Sequence, residues 1–156
     1  METRELRRED KAGLSRLIAE TYRELPEAMN FKGRPTPSEI GEVIEWKLAS
    51  IGRGEMVDRV AVDGGRVVAD CEILITGARG IIGIIVDREH RRNGIGKRLS
   101  EECTRLAAER GVKAIDAEVM ESNKPAVLFF RKMGFKEQAQ EMATEKGKAI
   151  LLSKLL

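Results

Sequence analysis

Apolar residues along the chain recur with two periods, and the switches between them lay out the elements. Thr3 to Arg7 reads as a short edge strand, and Asp10 can cap a helix with Leu14, Leu17, Ile18, Tyr22 and Leu25 on one face, stopped by Pro26. Glu27 to Pro35 is a loop containing Asn30 and Gly33. Thr36-Pro37-Ser38-Glu39 forms a capping box with proline at the first helical position, and Ile40, Val43, Ile44, Leu48 and Ile51 mark the inner face of a second helix. From Met56 the period shortens to that of a strand. Val57 to Val62 and Arg66 to Ile75 flank Asp63-Gly64-Gly65, a hairpin signal because such turns need positive φ angles.

Residues 76 to 80 turn the chain into the run Ile81 to Val86, whose β-branched residues suit a strand buried on both faces. A polar loop follows. After it, Ile95, Leu99, Cys103 and Leu106 recur at helical spacing, with Lys97, Arg98, Glu101, Glu102, Arg105 and Glu109 on the other face, until Gly111. Val112 to Met120 is the next strand, parallel to Ile81–Val86 because the intervening helix supplies a right-handed crossover. Ser122 or Asn123 caps a short helix that directs Val127, Phe130 and Met133 inward and ends at Gly134. Phe135 to Met142 and Lys148 to Leu155 form a last hairpin around Glu145-Lys146-Gly147. The expected order is β α α β β β α β α β β, with the first three strands of the middle section forming an antiparallel meander. No linker, repeat or low-complexity tract interrupts it, so residues 1–156 are expected to form one domain.

Composition narrows the function more than the fold. The 156 residues are 42% hydrophobic and 35% charged, enough for a real core, and the net charge of +2 is too small for a nucleic-acid footprint. No apolar segment approaches the ~20 residues of a membrane span, and METRELRRED lacks the apolar core of a signal peptide, so a cytoplasmic protein without a membrane or nucleic-acid partner is expected. Cys71 and Cys103 fall inside elements and read as free buried thiols. His90 is the only histidine, which leaves a His/Cys metal cluster or a Ser-His-Asp arrangement without support, and no metal site is expected.

The stretch from Ile81 to Lys97 carries the candidate chemistry. It is a strand, a glycine-bearing turn and a helix N-terminus, whose first N–H groups lack intrahelical partners and suit a phosphate. Gly94 and Gly96 permit close approach, and Arg91, Arg92 and Lys97 add positive charge; the plain alternative is a tight turn with solvated basic residues. A dinucleotide fingerprint fails because Leu99 stands where its third glycine belongs. A P-loop fails because Arg98 follows Lys97 and Arg91 stands in place of its first glycine. The spacing Arg91-Arg92-Asn93-Gly94-Ile95-Gly96, five residues beyond Val86, resembles the acyl-CoA signature of the GNAT superfamily of N-acyltransferases, Gln/Arg-x-x-Gly-x-Gly/Ala after a hydrophobic strand. Asn123-Lys124-Pro125-Ala126, then Phe129-Phe130 and Gly134-Phe135, resembles the closing pattern of the same family. Together the two motifs cover Ile81 to Phe135, and the flanking segments can be read the same way.

The resemblance implies an α/β (α+β) fold: a mixed, mostly antiparallel central sheet with a parallel splayed strand pair and helices on both faces. It implies acetyl-CoA as acyl donor, lying where the strands ending at Val86 and near Met120 separate. Ile84, Ile85 and Val86 would offer main-chain groups to the pantetheine arm and thioester. Arg91, Arg92, Asn93, Gly94, Ile95, Gly96 and Lys97 would bind the pyrophosphate. Asn123, whose alternative role is a helix cap, and Phe130, whose alternative is plain packing, would touch the pantetheine region.

A neutral amine would attack the thioester, with backbone N–H groups holding the developing oxyanion. The family often has a Tyr acid at the second aromatic, where this chain has Phe130; Tyr22, the only Tyr, reads as a core or rim residue. Some relatives carry a Glu on the central strand, where this chain has none. That leaves Glu72 and Glu118 as candidate catalytic bases, each with an ordinary surface carboxylate as its alternative. The expected activity is N-acetyl transfer to a primary amine of a small molecule or a protein. An acyl-CoA-binding regulatory protein with little or no catalysis is the other reading, and a homodimer is left open.

Overall fold

The computed structural model describes residues 1–156. Strands β1 (Glu2–Arg4), β2 (Met56–Asp63), β3 (Arg66–Thr76), β4 (Arg79–Val86), β5 (Ala114–Met120), β6 (Lys136–Thr144) and β7 (Gly147–Leu155) form one sheet in the order β1-β2-β3-β4-β5-β7-β6. Helices α1 (Lys11–Glu24), α2 (Pro37–Gly52), α3 (Ile95–Glu109) and α4 (Lys124–Lys132) complete the expected order. All neighbouring strands pair antiparallel except β4 and β5, as the crossover through α3 requires.

The core is in two layers because the sheet is covered on both faces. On one, Leu99, Cys103 and Ala107 of α3 and Val127 and Phe130 of α4 pack on Val57, Cys71, Ile73, Ile82 and Ile115. On the other, Leu14, Leu17 and Ile18 of α1 and Ile40 and Ile44 of α2 pack on Val60 and Val67. Even-numbered residues of β2 and β3 near the sheet centre face the α1/α2 side, since Val60 pairs with Asp70 and Asp58 with Glu72.

The N-terminal segment departs from expectation. The strand stops at Arg4 because the Arg4 guanidinium forks onto both oxygens of Asp10, at 2.7 and 2.8 Å, and the same carboxylate accepts the Arg7 N–H. Asp10 therefore organises the turn before α1 and does not cap α1 with its side chain. Arg4 holds the Asp10 carboxyl below its ordinary range against the opposing effect of burial.

The α2 capping box is realised in full: Thr36 Oγ1 accepts from Glu39 N–H, and the Glu39 carboxylate accepts from Thr36 N–H. The inner face of α2 differs, with Lys47 and Ser50 buried alongside Ile40 and Ile44, while Val43, Leu48 and Ile51 are half-buried. Thr36→Ala should cost about 1 kcal/mol through the lost cap. In thermal unfolding that corresponds to a midpoint lower by roughly 2–4 °C; an unchanged midpoint would mean that the cap is dispensable.

Candidate acetyl-CoA and acceptor site

β4 and β5 pair only over Arg79–Ile81 and Ala114–Asp116, and beyond that they diverge. The closed end is laced by Arg79, which donates to both oxygens of Asp116 at 3.1 and 2.6 Å, and by Ser153 Oγ, which donates to Asp116 at 2.6 Å. β3 accompanies β4 along its whole length. The Asp87 N–H bond to Val68 O sets the phase of that ladder, so Ile81, Gly83 and Ile85 turn their main-chain groups to β3. Ile82, Ile84 and Val86 turn theirs to the open edge.

Two of the three expected strand ligands, Ile84 and Val86, thus present main-chain groups to the gap. Ile85 does not: its main chain is spent on Asp70, and its side chain packs against the α1/α2 cluster. Ile82, which the sequence reading left out, takes its place at the edge. The signal that could have identified it is the two-residue period of the strand itself.

Below the gap the chain makes a loop of free donors. Arg92 has φ +66° and Gly94 φ +84°, left-handed positions on either side of Asn93 that turn N–H groups toward one side. The N–H groups of Arg91, Arg92, Asn93 and Gly94 donate to nothing in the chain, and α3 begins at Ile95 with the unpaired first-turn N–H groups of any helix. A Cβ on Gly96 would lie 3.2 Å from the Phe129 ring, so this position holds the helix start close against α4.

The side chains of the loop divide. Arg92, Asn93 and Lys97 are exposed, and Ile95 is buried as the apolar anchor of the turn. Arg91 is engaged: its guanidinium forks onto Glu24 at 2.7 and 2.6 Å, and its Nε donates to Val86 O at 3.0 Å. That bond ties the end of α1 to the end of β4, and Arg91 draws the Glu24 carboxyl down despite some burial. Arg91 offers a ligand its N–H, with its charge already paired.

Asn123 precedes α4 and makes no side-chain cap, which leaves its amide free on the β5 side of the gap. Phe130 is 5% exposed and sits between Phe129 and Phe135 in edge-on contacts at 5.2 and 5.1 Å. Its ring belongs to the core, and Phe129 is the aromatic that meets the glycine turn.

Glu72 and Glu118 fall on the same face, on opposite sides of the gap, because Glu72 pairs with Gly83 and Asp116 with Ile81. Glu118 is exposed. Glu72 belongs to a group missed by sequence reading. Lys47, 4% exposed, sends its Nζ to Asp70 at 2.6 Å, to Glu72 in a closer contact, and to within 3.2 Å of Asp58. The three carboxylates could group around a metal ion, but the Lys47 ammonium lies among them. A Cβ on Gly83 would stand 3.1 Å from Glu72 Oε1, so the carboxylate lies directly over β4.

The α1–α2 loop meets the tip of the β6–β7 hairpin. Lys146, at the hairpin tip, donates to Pro26 O at 3.0 Å and Met29 O at 2.8 Å and stands 5.7 Å from the Tyr22 ring, which meets Phe31 edge-on. Tyr22 is a half-buried rim residue, one of the two roles expected for it.

The chain matches the model of the acetyltransferase (GNAT) family over residues 15–135, and it belongs to that family. No curated protein sequence matches it. Among solved structures, a ribosomal-protein-alanine N-acetyltransferase from Brucella melitensis is 18% identical, with both chains fully covered and a TM-score of 0.86. A PaiA N-acetyltransferase from Thermoplasma acidophilum in complex with coenzyme A is 18% identical, with 99% of this chain and 98% of that one covered and a TM-score of 0.76. A GNAT phosphinothricin acetyltransferase from Sinorhizobium meliloti in complex with acetyl-CoA is 16% identical, with 99% and 88% covered and a TM-score of 0.78. The fold is shared throughout, and no helix of the chain is long and apolar enough to cross a membrane.

Two outcomes follow from this geometry. Gly96→Leu should weaken acetyl-CoA binding at least about tenfold in titration calorimetry, because overpacking against Phe129 moves the helix start by which the donors are aimed. Unchanged affinity in the folded variant would place the pyrophosphate elsewhere. Lys146→Met should raise hydrogen exchange at residues 26–31 while leaving that of α3 unchanged.

Proposed function

We propose that this GNAT N-acetyltransferase moves the acetyl group of acetyl-CoA to a primary amine that enters on the α1/α2 face, with residues 1–156 acting as one domain and Glu72 taking the proton the amine must lose. One observation carries the reading: Glu72 lies over Gly83 beside the open edge of β4, fixed by Lys47, with its side chain 30% exposed. Glu118 shares the face, but no partner holds it.

The residues present fit acetyl-CoA. The free N–H groups from Arg91 to Gly94 and the start of α3 suit its pyrophosphate, and the open main-chain groups of Ile84, with the Ile82 carbonyl and the Val86 N–H, suit its amide-bearing arm. Exposed Arg92 and Lys97 add charge, and Asn123 supplies an amide from the β5 side. Acetyl-CoA supplies an acetyl group activated as a thioester.

At neutral pH the acceptor arrives as an ammonium ion without a lone pair. Glu72 takes a proton from it, the electron pair of the broken N–H bond stays on nitrogen, and the carboxyl then releases the proton to water. A second proton leaves nitrogen as the amide forms and is matched by the one the departing sulfur takes up. Phe130 has no proton to give, so that one comes from the amine or from water. Relatives named for a ribosomal-protein alanine and for phosphinothricin support an acceptor amine on either a protein or a small molecule. The reaction is placed in the cytoplasm.

Coupled measurement of CoA release over a panel of small amines and N-terminal peptides tests the activity. Glu72→Gln should lower turnover by roughly 10²–10⁴-fold at neutral pH and leave acetyl-CoA affinity unchanged. Its rate should climb with pH toward the pKa of the amine itself, while Glu118→Gln stays close to the parent. A full rate in Glu72→Gln removes the base assignment. Binding of acetyl-CoA without turnover of any amine would make the chain a regulatory acyl-CoA binder.

A further inference from the structure

We propose that Lys47, Asp58, Asp70 and Glu72 act as one charge unit in which Asp58 holds a proton at neutral pH, and in which Lys47 is the positioning residue that aims the Glu72 carboxylate past Gly83 at a cationic acceptor. The part concerning Lys47 rests on the reading of Glu72 as proton acceptor; the charge state of Asp58 stands by itself.

The geometry requires a proton. One oxygen from each of Asp58, Asp70 and Glu72 lies within 4.8 Å of the others. Lys47 donates to Asp70 and Glu72, yet Asp58, 1% exposed and at ion-pair distance, accepts no hydrogen bond. Both oxygens of Asp58 and Oδ1 of Asp70 are left without donors in a buried setting. One ammonium cannot balance three ionised carboxylates in such a setting. A single hydrogen on Asp58, donated to Asp70, joins the two carboxyl groups and leaves Asp58 Oδ2 facing the Lys47 ammonium at 3.2 Å.

The electrostatics agree. Burial first, then the charge of Asp70, pushes the Asp58 carboxyl well above the ordinary range. Burial alone would discharge Lys47, but Asp70 and then Glu72 hold it charged well above the usual lysine value. The groups around Asp58 are Lys47 from α2 and Asp70 and Glu72 from β3. Across the sheet lie the buried thiols of Cys71 and Cys103, with Cys71 held protonated by its hydrogen bond to Cys103, by burial and by these charges.

With Asp58 neutral, the ammonium cancels one of the two remaining carboxylates, and one negative charge is left. Glu72 is the member of the four that reaches solvent. The unit therefore attracts an ammonium to the place where its proton is taken, and an acceptor with a carboxylate beside its amine fits poorly.

Asp58→Asn tests the charge state, since an amide copies a protonated carboxyl and leaves Lys47 in place. Infrared spectra of the parent at neutral pH should show the carbonyl band of a buried carboxylic acid, absent in Asp58→Asn. Because the folded chain holds a proton that the unfolded chain releases, Asp58 contributes stability at low pH that is lost as pH rises above the ordinary carboxylate pKa. The parent's unfolding constant should gain up to about tenfold per pH unit over Asp58→Asn in that range. Absence of the band, or identical pH slopes in the two proteins, overturns the assignment of the proton.

Lys47→Met tests positioning: turnover should fall toward that of Glu72→Gln with acetyl-CoA affinity unchanged, and Lys47→Met/Glu72→Gln should be no slower than Glu72→Gln alone. A double variant slower than Glu72→Gln by the same factor that Lys47→Met costs the parent would make Lys47 merely structural. The Asp58→Asn comparison decides the charge state whether or not Lys47→Met folds. Full activity of Glu72→Gln would remove the base reading and leave the infrared result on Asp58 intact.

Discussion

The parallel pairing of β4 with β5 stops at Ile81, and the rest of the molecule is built around that interruption. A sheet that gives up a ladder in its middle leaves a column of main-chain donors and acceptors that must find partners elsewhere. The separation survives because each strand is held from its far side: β4 by the full length of β3, β5 by β7 from Ala114 to Met120. At the closed end Arg79, Asp116 and Ser153 form a polar clasp across three strands, and at the open end Arg91 takes up Val86 O. Arg91 and Glu24 then carry α1 along with the tip of β4, so the first helix and the edge of the gap are mechanically joined.

The second constraint is electrostatic. Lys47 occupies a position on α2 that helical spacing reserves for an apolar residue, and its ammonium is retained in the interior only because β2 and β3 send carboxylates to meet it. Buried ion pairs are weak sources of net stability, since desolvation offsets most of the attraction; removing one partner is the expensive event, at about 3–5 kcal/mol. Such a group is better understood as a device that fixes orientation. Here the oriented member is Glu72, whose rotamer would otherwise be as free as that of Glu118.

Much of this was legible in the sequence where chemistry is local. The hairpin at Gly64-Gly65, the Thr36 capping box, the crossover through α3 and the glycine turn at Gly94-Ile95-Gly96 each follow from a few adjacent residues. What escaped depends on partners far along the chain. Asp10 reads as a helix cap until Arg4 claims it, and Arg91 reads as a free phosphate ligand until Glu24, distant by 67 positions, pairs with it. Phe130 reads as a cofactor contact or as plain packing, and it packs in the core, while the ring against the glycine turn is that of its neighbour Phe129. The Lys47 group did leave a trace: Lys47 continues the spacing of Ile40 and Ile44, and Asp58, Asp70 and Glu72 share the inward parity of their strands. A basic residue and three acidic residues, all at core positions, are a pattern that single-element periodicity treats as noise.

Gly83 connects the two constraints. On β4, at the centre of the gap, the family resemblance leads one to expect a carboxylate in some relatives, and this chain has no side chain at all. The space a Cβ would take is bordered at 3.1 Å by Glu72 Oε1, delivered from the next strand in register. The carboxylate has in effect moved one strand over, and the move changes what can hold it. A glutamate on β4 would stand at the edge of the gap, with only open space on the β5 side. From β3 it backs onto Asp70, Asp58 and α2, within reach of Lys47. The missing side chain at Gly83 and the buried lysine on α2 are thus two parts of one arrangement, which places an oriented carboxylate over the strand whose free edge lines the proposed acetyl-CoA site.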